Sequence, residues 1–109
     1  MSKNAHTPGP WIVDPDHPRD ISPADDLRFG VASICNCDNI NGGWVFGDQS
    51  KANARLISAD PDLLEACEAY IHAHHSQIRD GKHQEEFHQN LGKAERMMID
   101  AIAKARGES

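Results

Sequence analysis

Cysteine is scarce: Cys35, Cys37 and Cys67 are the only three in 109 residues. An odd count argues against a disulfide framework. Cys35 and Cys37 lie two apart, on one face of an extended segment. A zinc site needs about four ligands, usually from two such pairs. One pair does not suffice, so the thiols read as buried structural residues. Long apolar runs are absent too, and nothing approaches the ~20 residues of a membrane span. No apolar stretch follows Lys3, which excludes a secretory signal there and makes the cytoplasm the default. Basic residues are outnumbered, 11 against 17 acidic, giving a net charge of −6. A nucleic-acid binder shows the opposite balance. The acids come in isolated pairs such as Asp60 and Asp62, not in the long blocks of a DNA mimic. No Ser/His/Asp order, phosphate loop or Gly-x-Gly-x-x-Gly is present, so a non-enzyme without cofactor is expected.

What is there is mostly architecture. At this length the chain is expected to be a single domain over residues 1–109, with a thin core. A sizeable ligand would then sit on the surface or between subunits. Residues 1–10 are rich in Pro and Gly and read as irregular. Trp11-Ile12-Val13 reads as a short strand, and Asp14-Pro15-Asp16-His17-Pro18 as a turn. A strand at 20–22 is limited by Pro23. The clearest period-two pattern runs over 27–36, with Leu27, Phe29, Val31 and Cys35 on one face. An Asn/Asp/Gly-rich loop follows, and Trp44-Val45-Phe46 reads as a return strand. Residues 11–47 thus predict a small antiparallel sheet.

Residues 50–106 read as helical. Ser50 is expected to cap a short helix over 51–59. Asp60-Pro61-Asp62 predicts a restart, with Asp60 as cap and Pro61 at the first helical position. Leu64, Cys67, Ile71, His74 and Ile78 form a stripe spaced 3-4-3-4, with Gly81 as the stop. A last helix over 84–106 places Phe87, Leu91, Ala94, Met98, Ile102 and Ala105 in a second stripe. The two stripes predict an antiparallel hairpin. Ile99 points away from its stripe, which marks a subunit contact. The fold class is α+β: a small antiparallel sheet packed with a short helix and a helical hairpin.

Few residues suggest chemistry. Asn53 falls beside Leu56 and Ile57, where a polar side chain needs partners. The preferred reading is structural: Asn53 bonds backbone of the proline-rich opening while Trp11 packs on Leu56 or Ile57. The alternative is that Asn53 reads a ligand edge. Lys51 and Arg55, at i and i+4 near a helix N-terminus, read first as solvated charges or partners of nearby Asp residues; the alternative is that they suit a phosphate. Arg28 or Arg19 could join them; Trp44 and Phe46 read first as core of the small sheet, with stacking on a base as the alternative. His72, His75 and Glu68 could face one way, but the motif is not His-Glu-x-x-His, and solvated histidines are preferred over a metal site.

The blocks HTPGPW (6–11) and NARLISADPDLLEA (53–66), followed by AIAKARGE, resemble a widespread group of small proteins encoded by tailed bacteriophages and prophages. The chain departs from that pattern at CNCDNINGGWVFGD, which looks like an insertion. The resemblance implies an accessory protein of the host bacterial cytoplasm that antagonises defence without catalysis. One mechanism is a homo-oligomer that sequesters a nucleotide immune signal, a cyclic nucleotide or ADP-ribose-type ligand. The alternatives are direct inhibition of a host defence protein or nuclease, and a non-immune structural or regulatory role. No membrane partner is implied.

Overall fold

A computed structural model describes residues 5–79 and 84–108, with the side chains of 75–79 and 84–87 set aside. The order is β1 (Trp11–Val13), β2 (Asp20–Pro23), β3 (Ala32–Ser33), β4 (Asp38–Ile40), β5 (Gly43–Val45), α1 (Asp48–Ser58), α2 (Asp60–Arg79) and α3 (Gln84–Arg106). The architecture is α+β, with α2 and α3 packed as a hairpin. Gly81 and the side chains of His75, Ile78 and Phe87 lie outside the described residues.

The first sheet is antiparallel in the order β1-β2-β3. Asp14 makes the first turn: its backbone carbonyl takes His17 N–H and its carboxylate takes Asp16 N–H. This closes β1 onto β2 with Val13 opposite Ile21 and Trp11 opposite Pro23. Pro23 sits at the end of the central strand, where its missing N–H costs the ladder little. The long strand expected over 27–36 is not there. Asp26 intervenes, its carboxylate taking Arg28 N–H and its carbonyl taking Phe29 N–H. That local Asx-type bonding holds a turn, so only Ala32 and Ser33 pair with β2. Leu27 and Phe29, inward-facing in the alternating pattern, are 42% and 60% exposed.

Residues 38–45 form a separate two-stranded hairpin, β4-β5, with Asn39 opposite Trp44. It also supplies the cap of α1. This helix begins at Asp48, not at residue 51, and Ser50 is not its cap. Gly47 holds the cap position and has no side chain to offer. Asp38 reaches across instead, accepting from Gly47 N (3.0 Å), Gln49 N (2.9 Å) and Ser50 N (2.8 Å). Ser50, fully buried, donates its hydroxyl to Asp38 (2.6 Å) and accepts from Cys37 N–H (2.9 Å).

Ile21, Ile34 and Ala54 form the buried core of the sheet half, flanked by Trp11, Val13, Phe46 and Ile57. The hairpin is held differently. Ala66 and Ala73 of α2 and Ala94 and Ala101 of α3 are buried, each pair seven residues apart. Small residues let helix backbones approach closely, so this seam gains contact between backbones in place of bulky side chains. The Leu64-Cys67-Ile71 stripe, expected to face α3, faces outward. At the α1–α2 junction Asp60 makes no capping bond among the described residues. Ala59 stays helical, and its carbonyl takes Leu63 N–H directly.

The two halves are joined by a clasp. Lys104 of α3 donates to Trp11 O (2.7 Å) and to the Asp62 carboxylate (2.9 Å). Gly9 lies so close to α2 that an added Cβ would meet Pro61 Cβ at 2.8 Å. The opening segment and the start of α2 therefore do meet. Asn53 takes no part: its side chain has no hydrogen-bond partner among the described residues.

Candidate ligand-binding groove

The α1 N-terminus cannot supply its N–H groups to a ligand phosphate. Those of Gln49 and Ser50 already point at Asp38. The hydrogen bond from the Ser50 hydroxyl, with those backbone N–H groups, holds the Asp38 carboxyl down to about 2, against a partial desolvation that works the other way. The site therefore carries a resident anion at ordinary pH, and a second anion there would be repelled.

A different place on the same helix is shaped for a ligand. Between α1 and the end of α3 runs an open groove of about 500 Å³. Ala52, Asn53, Arg55 and Leu56 of α1 form one wall, and Leu63, Ile102, Ala105 and Arg106 the rest. α1 places Asn53 and Leu56 three apart, so both face the groove. Gly107 shapes its end. With φ of +74° it terminates α3 in the left-handed region, and an added Cβ would lie 2.6 Å from Arg55 Nε. The missing side chain lets the arginine lie across the helix end.

Arg55 is the unusual residue. Its Nε is buried and has no hydrogen-bond partner. Among the described residues neither Arg55, Arg106 nor Lys51 forms an ion pair, in a chain with 17 acids. Some other cations are committed: Arg28 pairs with Asp26 (3.1 Å), Lys104 with Asp62, and Arg19 bonds Asn36 and lies 4.8 Å over the Phe46 ring, whereas Lys93 and Arg96, exposed on α3, also have no ion pair among the described residues. Arginine offers five N–H donors in a planar fork that matches carboxylate or phosphate. Leucine, isoleucine and alanine walls suit the apolar body of such a ligand. A smaller groove of about 250 Å³ lies on the other flank of Asn53 and Leu56, lined by Ser33, Ile34, Cys35, Cys37 and Ile57.

Of the candidates read from the sequence, Arg55 and Asn53 meet in the groove and Lys51 stands one turn away, exposed. Arg28 sits in the 24–30 turn, its side chain 92% exposed. Phe46 packs against the core, and Trp44 projects from β5, 63% exposed. Sequence reading missed Arg106, which comes from the far end of the chain. Its only mark was the basic last turn of α3, which reads as an ordinary helix-dipole partner. For a metal site, no group of three or more His, Cys, Asp and Glu converges among the described residues. No helix among them is long and apolar enough to cross a membrane.

No curated protein and no solved structure matches the chain. A family model does, over residues 1–109, and its description is Salmonella phage P22 protein Y8K6. This chain is therefore a phage protein and belongs to that family.

Proposed function

We propose that this phage protein works by binding, without turnover, and that the groove between α1 and the end of α3 takes a phosphate-bearing ligand. The observation that carries this reading is Arg55, whose buried Nε lacks a partner beside a second uncommitted arginine. An unsatisfied buried donor costs free energy that a ligand oxygen would recover. At about 0.15 M salt the screening length is ~8 Å, so the local cations outweigh the distant net negative charge. In the host cytoplasm such binding would antagonise defence by sequestering a nucleotide immune signal, a cyclic nucleotide or ADP-ribose-type molecule, in a homo-oligomer. Arg55 and Arg106 would hold phosphate, Asn53 would read a polar edge, and Leu56 and Ile102 would cover the base or sugar.

A thermal-shift screen against cyclic nucleotides and ADP-ribose isomers tests this. A ligand at a hundredfold excess over its Kd adds about 2.7 kcal/mol. Arg55→Glu should abolish the shift while leaving the unliganded melting temperature close to wild type. Absence of any shift across the screen refutes the reading. Direct inhibition of a host defence protein or nuclease then becomes the better account. Trp44 favours that second reading, because tryptophan is enriched among residues that dominate protein interfaces and this one is held out on a hairpin.

A further inference from the structure

The cysteines, expected to be buried, are not: Cys35 and Cys67 are exposed and Cys37 is half-buried. Cys67 stands apart on α2. Cys35 and Cys37 both line the groove of about 250 Å³ beside α1, with Ser33, Ile34, Leu56 and Ile57. A period of two turns residues 33, 35 and 37 to one side, while Ile34 between them enters the core. The fold pins this stretch. Ile34 N–H donates to Arg19 O (2.8 Å), and Cys37 N–H donates to the buried Ser50 hydroxyl (2.9 Å). Between them the Asn36 side chain donates to Trp44 O (3.1 Å). The Cys37 thiol leans back along the chain and donates to the Cys35 carbonyl (3.2 Å). Two thiols are thus presented together on backbone that is already fixed.

We infer that Cys35 and Cys37 bind one soft monovalent metal ion of the copper(I) class, as a two-coordinate bis-thiolate. The donor set decides the class. Thiolate sulfur selects copper(I), zinc or iron–sulfur clusters. Zinc and the clusters take about four protein ligands. Among the described residues no group of three or more His, Cys, Asp and Glu converges, so the pair stands without further ligands of that kind. A closed-shell monovalent ion is satisfied by two sulfurs in a line. Distance decides against a disulfide. Extended residues two apart carry their Cβ atoms about 6.7 Å apart, whereas a disulfide needs about 3.8 Å. Closing that gap would pull Cys37 N–H off Ser50. Two metal–sulfur bonds of about 2.3 Å hold the sulfurs about 4.6 Å apart, which the backbone spacing allows. Binding releases both thiol protons to solvent, and the Cys37 sulfur turns from the Cys35 carbonyl into the groove. Nothing is oxidised or reduced. Ile34, Leu56 and Ile57 shield the metal–sulfur bonds from water, and Asn53 on the same wall offers an amide N–H to thiolate. This site does not depend on what the arginine groove binds.

The test titrates copper(I), anaerobically and under ascorbate, against the colour of a bicinchoninate chelator. The wild type and Cys67→Ser should each withdraw one ion per chain. Cys35→Ser and Cys37→Ser should each leave the ion with the chelator, at unchanged far-UV helicity. X-ray absorption of the loaded wild type should show two sulfur neighbours per copper. Silver(I), a stand-in of the same class without redox chemistry, should raise the melting temperature of the wild type and leave that of Cys35→Ser unmoved, because a preformed site binds the folded chain better than the unfolded one. Equal withdrawal by Cys35→Ser and the wild type overturns the inference, as does its loss in Cys67→Ser. Half an ion per chain would show a metal shared between copies and overturn the two-thiol site. Silver that leaves the wild-type melting temperature unchanged would show an adventitious ion only, held as well by the unfolded chain.

Discussion

Replacing Ser50 by alanine tests the joint between the β4–β5 hairpin and α1. The serine is fully buried, donates to Asp38 and accepts from Cys37 N–H. Alanine keeps the volume nearly unchanged and removes both bonds. Two consequences follow. The Cys37 N–H is left without its acceptor, and stranding a buried partner costs about 1–3 kcal/mol. An unfolding entropy of ~2.1 cal/mol/K per residue gives about 0.23 kcal/mol/K for a chain of 109 residues. The melting temperature should therefore fall by about 4–13 °C. The second consequence is electrostatic. The Ser50 hydroxyl is the largest cause of the low Asp38 pKa. In Ser50→Ala the Asp38 carboxyl should titrate closer to the ordinary carboxylate range. Differential scanning calorimetry reads the first effect, and carboxyl-carbon NMR titration the second. Lys51→Ala, one residue on and exposed, is the control and should stay within about 0.5 kcal/mol. A Ser50→Ala protein that melts within a degree of wild type would refute the reasoning, because the network would then contribute nothing that water cannot replace.

The same carboxylate sets a pH dependence. Its folded pKa lies below its unfolded one, so its stabilisation is present above about pH 4 and is lost as pH falls toward about 2; acid unfolding of Asp38→Asn should lack this component. Gly9→Ala places a methyl 2.8 Å from Pro61 Cβ, and overpacking there should cost about 1–3 kcal/mol, read by urea denaturation. Lys104→Met removes bonds to Trp11 O and Asp62, and should cost about 1–2 kcal/mol. A double-mutant cycle with Asp62→Asn separates the two bonds. Ala73→Leu should open the hairpin seam and destabilise by about 1–3 kcal/mol, whereas the chemically identical Ala69→Leu, at a half-exposed position, should cost less.

Features that depend on near neighbours in the chain were legible in the sequence. Trp11-Ile12-Val13 is a strand because proline-restricted backbone leads into three residues that favour extended structure. The last helix has the span its periodicity predicts, because its good helix formers run without a Gly or Pro strong enough to break it. The helical hairpin and the α+β class follow from the same local signals.

Tertiary structure decided what local pattern left open. The alternation of Leu27, Phe29 and Val31 suited a strand, but Asp26 bonding its own neighbours outcompeted a ladder that had no partner to offer at 27–30. Hydrophobic spacing marked Leu64, Cys67 and Ile71 as a seam without saying which surface they would meet. α3 took the alanines, because closer backbones gave it more contact. The cap of α1 comes from Asp38 on a neighbouring hairpin, and no local rule can locate a cap that arrives across a turn. The groove depends on tertiary structure most of all. Arg55 was marked by its distance from Lys51, but its working neighbour is Arg106, 51 positions on. Only the packing of α3 on α1, with Gly107 making room at the helix end, brings those two charges to one surface.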